Sequence, residues 1–525
     1  GSEDNPYQIC GADDFYMLIY NLYKDDTDAV GIFFKQMEDF SWTDVEDKSI
    51  STGMNKIESF AGIYDGNGRT ISDMSYQGTN TSNYNNVGLF SELKNGAEIK
   101  NLNFSNISFR NVSKDCGAIA GSASGNVTIE NIGIKGSMTF ENMGDNIGGV
   151  LGSHKDGVLK ISNITSNLTI SGANYNVGGV VGLVENATFE FNNFSATTTQ
   201  YSLNGYCFVG SVVGKISNSG YTINNVYVNH IIPEQNNDVF IISGRGTGIG
   251  GVIGYADKCS DSSLSDVTIR TSVGSTGQNN NFNNDILKPD GEDVGGLIGV
   301  SDSNGTITIS DAKVSGHIKG YSNVGGFIGS VQTFSYTNTN LVFKGTNSIQ
   351  PEETSYTAVS GVFYVGGVIG VLAFTTLTIE NPIIITTNVS GTLYGIGGFC
   401  GYMVSSVCNL TNLQFSETMA VNGSNQVGGV IGEIYTSEVN GPTKIDFTNG
   451  NQSALPNFND LSSLFNGKVN GTKDVGGFAG NIRLSDSDDH VSSNAFNGNV
   501  TGTGENIAGI VGYLEMYTYP VSFNS

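Results

Sequence analysis

Apolar and polar residues alternate along most of this chain. Leu159-Lys160-Ile161-Ser162-Asn163-Ile164 and Asn167-Leu168-Thr169-Ile170-Ser171 alternate apolar and polar side chains, with one extra polar residue before Ile164, the pattern of a strand with one buried face. Between such stretches stands a denser block, apolar-Gly-Gly-apolar-apolar-Gly, as in Ile147-Gly148-Gly149-Val150-Leu151-Gly152. The block recurs from Val177, Ile249, Val294, Val324, Val365, Ile396, Val427 and Val475, and in degenerate form from Val87, Cys116, Val209 and Ile507, thirteen copies in all. Paired glycines are hostile to helix and the flanking residues are β-branched, so each unit reads as about three short strands.

Successive blocks start 29, 31, 30, 32, 40, 45, 30, 41, 31, 31, 48 and 32 residues apart, a unit near 30 with four lengthened copies. Three short strands cannot bury an apolar face alone, but units stacked in parallel bury a continuous strip of Val, Ile, Leu and Phe. The expected fold is therefore all-β, a parallel β-helix (β-solenoid) of about thirteen ~30-residue coils. Glycine recurring at one place in a strand implies a close backbone approach, a sharp corner or a positive φ in every coil. A phosphate-cradling loop is excluded, because neither Lys-Ser/Thr nor a helix follows.

The start of the chain breaks the pattern. Residues 12–24 carry Asp13 and Asp14 in a first helical turn and Phe15, Leu18, Ile19 and Leu22 along one stripe, which predicts a helical cap over the first coil's edge. The organisation expected is a cap region with a short helix and first strands over 1–80, then a repeat array over 81–525. Gly1-Ser2 reads as a cloning remnant before a mature start, so a signal peptide or anchor is expected to lie outside this sequence. No cap is evident after Gly512, and the natural chain is expected to continue.

Composition sharpens this picture. Gly 72 with Pro 8 excludes collagen and Pro-rich linkers, and only 14% of residues are charged, against about 25% in an ordinary soluble domain. A net charge of −25 repels phosphate backbones and anionic membranes, so no nucleic acid is expected as a partner. No stretch approaches the roughly 20 apolar residues that span a bilayer, so membrane insertion is not expected either. The six cysteines, Cys10, Cys116, Cys207, Cys259, Cys400 and Cys408, are too sparse for a disulfide framework and lack metal-binding spacing. They read as buried thiols, with Cys400 and Cys408 the nearest pair for a disulfide.

The segment Phe60-Ala61-Gly62-Ile63-Tyr64-Asp65-Gly66-Asn67-Gly68-Arg69-Thr70-Ile71-Ser72-Asp73-Met74, followed by Val87-Gly88-Leu89-Phe90 and Ile99-Lys100-Asn101-Leu102, resembles the opening of bacterial GLUG-motif surface proteins. Pro6-Tyr7-Gln8-Ile9-Cys10-Gly11-Ala12-Asp13-Asp14-Phe15 fits the same pattern, and the resemblance covers nearly the whole chain. It implies an adhesin, or the stalk of a larger cell-wall-attached protein, located outside the cell or on its surface. Some members carry a metallopeptidase beside the array; its HExxH signature does not occur in this sequence, and His154, His230, His317 and His490 are scattered.

Candidate chemistry is confined to connections. Acidic clusters occur at Asp25-Asp26, at Asp257, Asp261 and Asp266, and at Asp486, Asp488 and Asp489; the last is the best candidate for calcium, which takes oxygen ligands from flexible loops. Asp65-Gly66-Asn67-Gly68 reads as a hairpin turn in preference to a calcium loop. Insertions in solenoids map to loops, often on the working face. Three fall just before a glycine block, at about 235–246, 278–292 and 351–363, and a fourth near 450–463. They carry Phe240, Phe282, Tyr356, Phe363 and Phe458, aromatic side chains suited to stacking on sugars or anchoring a protein. No nucleophile elbow or catalytic pair is evident, so the reading is a non-enzymatic adhesin-like protein. It would act as a monomer on a glycan or surface protein of a host or neighbouring cell, with no cofactor beyond the candidate calcium. The alternative is a polysaccharide-degrading β-helix enzyme, lyase or glycosidase, which needs carboxylates converging on an exposed strand face.

Overall fold

The computed structural model describes residues 1–23, 30–44, 57–78, 85–141, 144–230, 240–275, 291–332, 339–351, 358–410, 412–435, 444–446, 467–484, 490–491 and 499–516. The fold is a parallel β-solenoid of about twelve turns with a small N-terminal helix. It divides into two compact units, the first comprising Gly1–His230, Ile241–Gly244 and Val252–Gly254 and the second Ile231–Phe240, Arg245–Gly251 and Tyr255–Ser525.

In the first unit, like residues stack on like in successive coils. Strand Leu151–Ser171 lies in parallel between Val127–Thr139 and Val181–Ala196, aligning Ile129, Ile161 and Phe191 in one column and Ile132, Ile164 and Phe194 in another, all of them buried. Each such side chain removed from water contributes roughly 1.5–3 kcal/mol, which is why the apolar set recurs in every unit. The alternate positions face outward, and there Lys160 and Glu190, aligned in register, form a 3.0 Å ion pair.

The second unit repeats the scheme. Val324, Val365, Ile396, Val427 and Val475 align in one column. Ile328, Ile369, Cys400, Ile431 and Ala479 align in another. Cys400 thus takes the place of an aliphatic residue; it and Cys408 are free, buried thiols, and burial pushes both thiols above the ordinary range. None of the six cysteines is joined to another by a disulfide.

Every glycine block forms a short strand, five in the first unit and eight in the second. Its paired glycines mark a close approach: a Cβ on Gly149 meets the carbonyl oxygen of Gly179, and one on Gly367 meets that of Gly398. The positive φ falls instead on the residue just before the block. Asn86, Asp115, Asn146 and Asn176 hold it in the first unit, and Asp293, Asn323, Asp474 and Asn506 in the second, with glycine at 248 and 395 and Phe208, Tyr364 and Gln426 as exceptions. Asn and Asp are the side chains that tolerate this conformation best after glycine.

The N-terminal helix differs from its expected stripe. A π-helical turn over Tyr16–Tyr20 separates the short α-helices Ala12–Phe15 and Asn21–Tyr23; the wider turn rotates the second helix about the common axis. The buried residues are consequently Ala12, Phe15, Ile19 and Tyr23, with Leu18 and Leu22 only partly covered. Phe15 packs against Phe40, Trp42, Tyr64 and Phe90, and Tyr23 against Phe34 and Phe60, covering the end of a ring stack that runs Phe34, Phe60, Phe90. Parallel winding is already present here, since Tyr7–Ile9 pairs with Phe33–Gln36 and the latter with Ile63–Asp65.

The Asp65-Gly66-Asn67-Gly68 turn is a coil corner and not a hairpin. Ile63–Asp65 and Thr70–Ser72 both pair in parallel with Glu98–Arg110. Left-handed Asn67 and Gly68 make the bend, and Asp65 accepts from the Asn67 N–H at 2.8 Å. The same carboxylate starts a ladder in which each left-handed asparagine donates to its predecessor: Asn101 to Asp65, then Asn131, Asn163, Asn193 and Asn225 in turn, at 2.8–3.4 Å.

Candidate functional site

The corner before each glycine block is where the two units acquire different side-chain chemistry. In most coils it is sealed. Asn146 donates to Asp115 at 2.7 Å and Asn176 to Asn146 at 2.6 Å. In the second unit Asn323 donates to Asp293 at 2.8 Å and Asn506 to Asp474 at 2.6 Å. In each of these pairs the amide N–H bonds to the oxygen of the corner residue one coil before. Burial raises the Asp115 carboxyl, while bonds from Asn146 and Ser153 oppose that rise.

From Tyr364 to Gln426 the seal is absent. Tyr364 has φ +48° and Gln426 φ +53°; for residues of this size such a conformation costs about 1–3 kcal/mol and persists only where the surroundings impose it. The Tyr364 ring stacks on Tyr402 at 4.9 Å and meets Tyr394 edge-on at 5.6 Å. Phe363 joins Tyr394 at 4.6 Å and Tyr321 at 5.5 Å. The result is a run of five partly exposed rings across consecutive coils, with Tyr394 37% exposed. Coil spacing of about 4.8 Å sets the step between rings.

Beside the rings lies a cleft of about 390 Å³ lined by Tyr364, Tyr394, Asn425, Gln426, Glu433, Lys473, Asp474 and Arg483. Tyr394, Asn425 and Lys473 are register partners on successive glycine strands. Glu433 and Arg483 come from Ile431–Tyr435 and Ala479–Leu484, which run side by side in parallel.

Burial dominates the electrostatics. It raises the Glu433 carboxyl, opposed by Arg483 and reinforced by Asp474; the guanidinium lies 3.8 Å from Glu433 and 3.4 Å from Glu515. Burial with the nearby Glu433 pushes the Tyr364 hydroxyl up to about 12 and raises that of Tyr402 as well, so both remain O–H donors at ordinary pH. Gln426 Oε1 and Asn481 Oδ1 are buried acceptors with no hydrogen-bond partner among the described residues, and Asn481 is the register partner of Glu433. An orphaned buried acceptor costs about 1–3 kcal/mol. Of the two residues, Gln426 lines the cleft.

Of the residues singled out from sequence, Phe363 belongs to the ring run. Phe240 is 8% exposed, with its ring 6.1 Å from that of His317. Phe282, Tyr356 and Phe458 lie outside the described residues, as do Asp486, Asp488 and Asp489, the candidate calcium ligands. Asp257 and Asp266 lie within strands Ile253–Cys259 and Ser262–Arg270, not in connections; Asp261, between them, caps the Thr306 N–H at 2.8 Å. Among the described residues no three His, Cys, Asp or Glu side chains are grouped to hold a metal ion. Tyr364, Tyr394, Tyr402, Glu433 and Arg483 escaped the sequence reading, which looked at inserted loops. Their signal was a bulky residue at 364 where ten of the thirteen copies carry Asn, Asp or Gly, Phe208 and Gln426 being the other exceptions.

A larger cleft of about 540 Å³ in the first unit is lined by Ser105, Asn106, Lys135, Gly136, Thr169, Thr199, Gln200 and Ser202; it offers hydroxyls and amides but no ring. No protein-family model, curated protein or solved structure matches the chain, so the functional reading rests on this geometry.

Proposed function

We propose that this chain is an adhesin-like repeat protein of the cell surface or extracellular space that binds a glycan, with the Tyr364–Tyr394–Tyr402 face as its contact surface. One observation carries the reading: a run of partly exposed rings adjoins a cleft lined by hydroxyl donors, by Gln426 with its unpartnered amide oxygen, and by charges of both signs. A pyranose presents C–H groups to a ring face and hydroxyls at its rim, which is the complement of this arrangement. The net charge of −25 favours neutral over polyanionic glycans. The GLUG-like opening of the sequence supports surface display, and the protein is proposed to act as a monomer.

A second reading, cleavage of the bound polysaccharide, is favoured by Glu433 and Asp474 lining one cleft, with the Glu433 carboxyl raised by burial, a property of general acids. One experiment addresses both: an array of neutral, amino and acidic glycans probed with the wild-type chain and a Tyr394→Ala/Tyr402→Ala variant, with released reducing ends measured in parallel. The expected result is selective retention of neutral glycans, weakened about tenfold or more in the variant, as roughly 1.4 kcal/mol from two lost rings implies. Retention unchanged in the variant would remove the cleft from the function, and released chain ends would move the reading to the enzyme.

A further inference from the structure

We infer that the first unit carries a second glycan subsite, centred on Phe208; this rests on the glycan-binding reading of the Tyr364 cleft. The sealed ladder Asp115–Asn146–Asn176 stops at Phe208, which holds φ +57°. A phenyl ring cannot donate to the preceding coil, and Asn176 Oδ1 is left buried with no hydrogen-bond partner among the described residues. The position is therefore unfavourable twice over, through the backbone conformation and through the orphaned acceptor. An asparagine at 208 would relieve both. A costly residue kept where a cheap one fits is the pattern of a functional position.

The surroundings repeat those of Tyr364. The Tyr175 ring lies 5.8 Å from that of Tyr206 and 6.3 Å from that of Phe208, and all three are partly exposed. Lys215, six residues after Val209 as Tyr402 is six after Ile396, puts its ammonium 5.7 Å from the centre of the Phe208 ring. Each unit thus has one corner where a left-handed aromatic residue gathers further rings and is backed by the side chain six positions into its block or the next. The shared build assigns the two places the same ligand chemistry, a neutral pyranose stacked on rings with its hydroxyls meeting polar groups beside them, here the Lys215 ammonium.

The test is the stoichiometry of cellohexaose, laminarihexaose and mannohexaose binding by titration calorimetry to the intact chain, with thermal melting alongside. Wild type is expected to bind two molecules of the hexasaccharide it accepts. Phe208→Asn and Tyr364→Asn should each leave one and the double variant none, while Phe208→Asn melts at a higher temperature than wild type. Tyr206→Ala, which leaves the corner alone, should also reduce the count to one and guards against misfolding of the corner variant. A single site abolished by Tyr364→Asn and untouched by Phe208→Asn and Tyr206→Ala would overturn the second subsite and leave the first. No binding of any of the three sugars to wild type would overturn both.

Discussion

The corner from Asp115 to Asn176 and the corner from Tyr364 to Gln426 share one backbone and carry opposite chemistry. Both place a left-handed residue immediately before the block, which opens with valine or isoleucine and two glycines except after Asp115, where Cys116-Gly117-Ala118 follows. In the first, amides bond to one another across the coils at 2.6–2.7 Å; in the second, rings, a carboxylate and a guanidinium border an open cleft. The backbone requirement belongs to the coil and is the same everywhere. Function enters where the side chain serving that requirement is not the cheapest one available.

The largest effect should come from breaking what the two regions share. Gly149→Val in the first unit and Gly367→Val in the second each drive a side chain into a carbonyl of the adjacent coil, and backbone cannot yield as a side-chain tip can. Each should cost about 3 kcal/mol or more, seen as loss of the cooperative melt or of soluble protein. If only one of the pair were damaging, the two corners would not have the common backbone argued above.

Next comes a pair of substitutions with opposite signs. Asn146→Leu removes a donor to Asp115 and an acceptor from Asn176 and puts a bulky residue at positive φ, so it should destabilise by about 2–4 kcal/mol. Tyr364→Asn relieves the same backbone conformation and should stabilise by about 1 kcal/mol or more while weakening glycan binding. Melting temperatures measured together decide the matter. Destabilisation by Tyr364→Asn would mean that the ring stack on Tyr402 is a structural support and that the strain has no functional reading.

How far the sequence shows this contrast depends on the range of the interactions. The solenoid is legible because period-two alternation and the glycine block are local signals, the block recurring thirteen times and nine of those with paired glycines, and parallel stacking buries so narrow an apolar strip. Among the three roles open to the glycines, only coordinates distinguish close approach from positive φ, since both demand the absence of a Cβ or tolerance of its placement. The N-terminal stripe shifted because a π turn has no propensity signature. Phe363 was legible as an aromatic beside a block, whereas Glu433 and Arg483 are 50 residues apart and meet only because their coils are neighbours.

The smallest effect concerns the approach to the aromatic column. Glu292 stands two residues before its block, in register with Ser322, which is in turn in register with Phe363, so it occupies the column that becomes aromatic further along the second unit. Burial, with Asp293 adding to it, pushes its carboxyl up to about 7. A carboxyl raised in the folded chain stabilises the fold below its unfolded value near 4.5, and that contribution is lost as pH rises through about 7. Because the side chain is only partly buried, solvent screening keeps the effect at or below about 1 kcal/mol. Asp115 and Glu433 titrate in the same sense, so the wild-type slope alone would not isolate this residue. The informative quantity is the difference between wild type and Glu292→Gln, melted at pH 5 and at pH 8: the variant should lose less stability across that interval. An identical loss in both would mean that Glu292 is solvated like an ordinary surface carboxylate, and that the column turns from polar to aromatic without passing through a desolvated site.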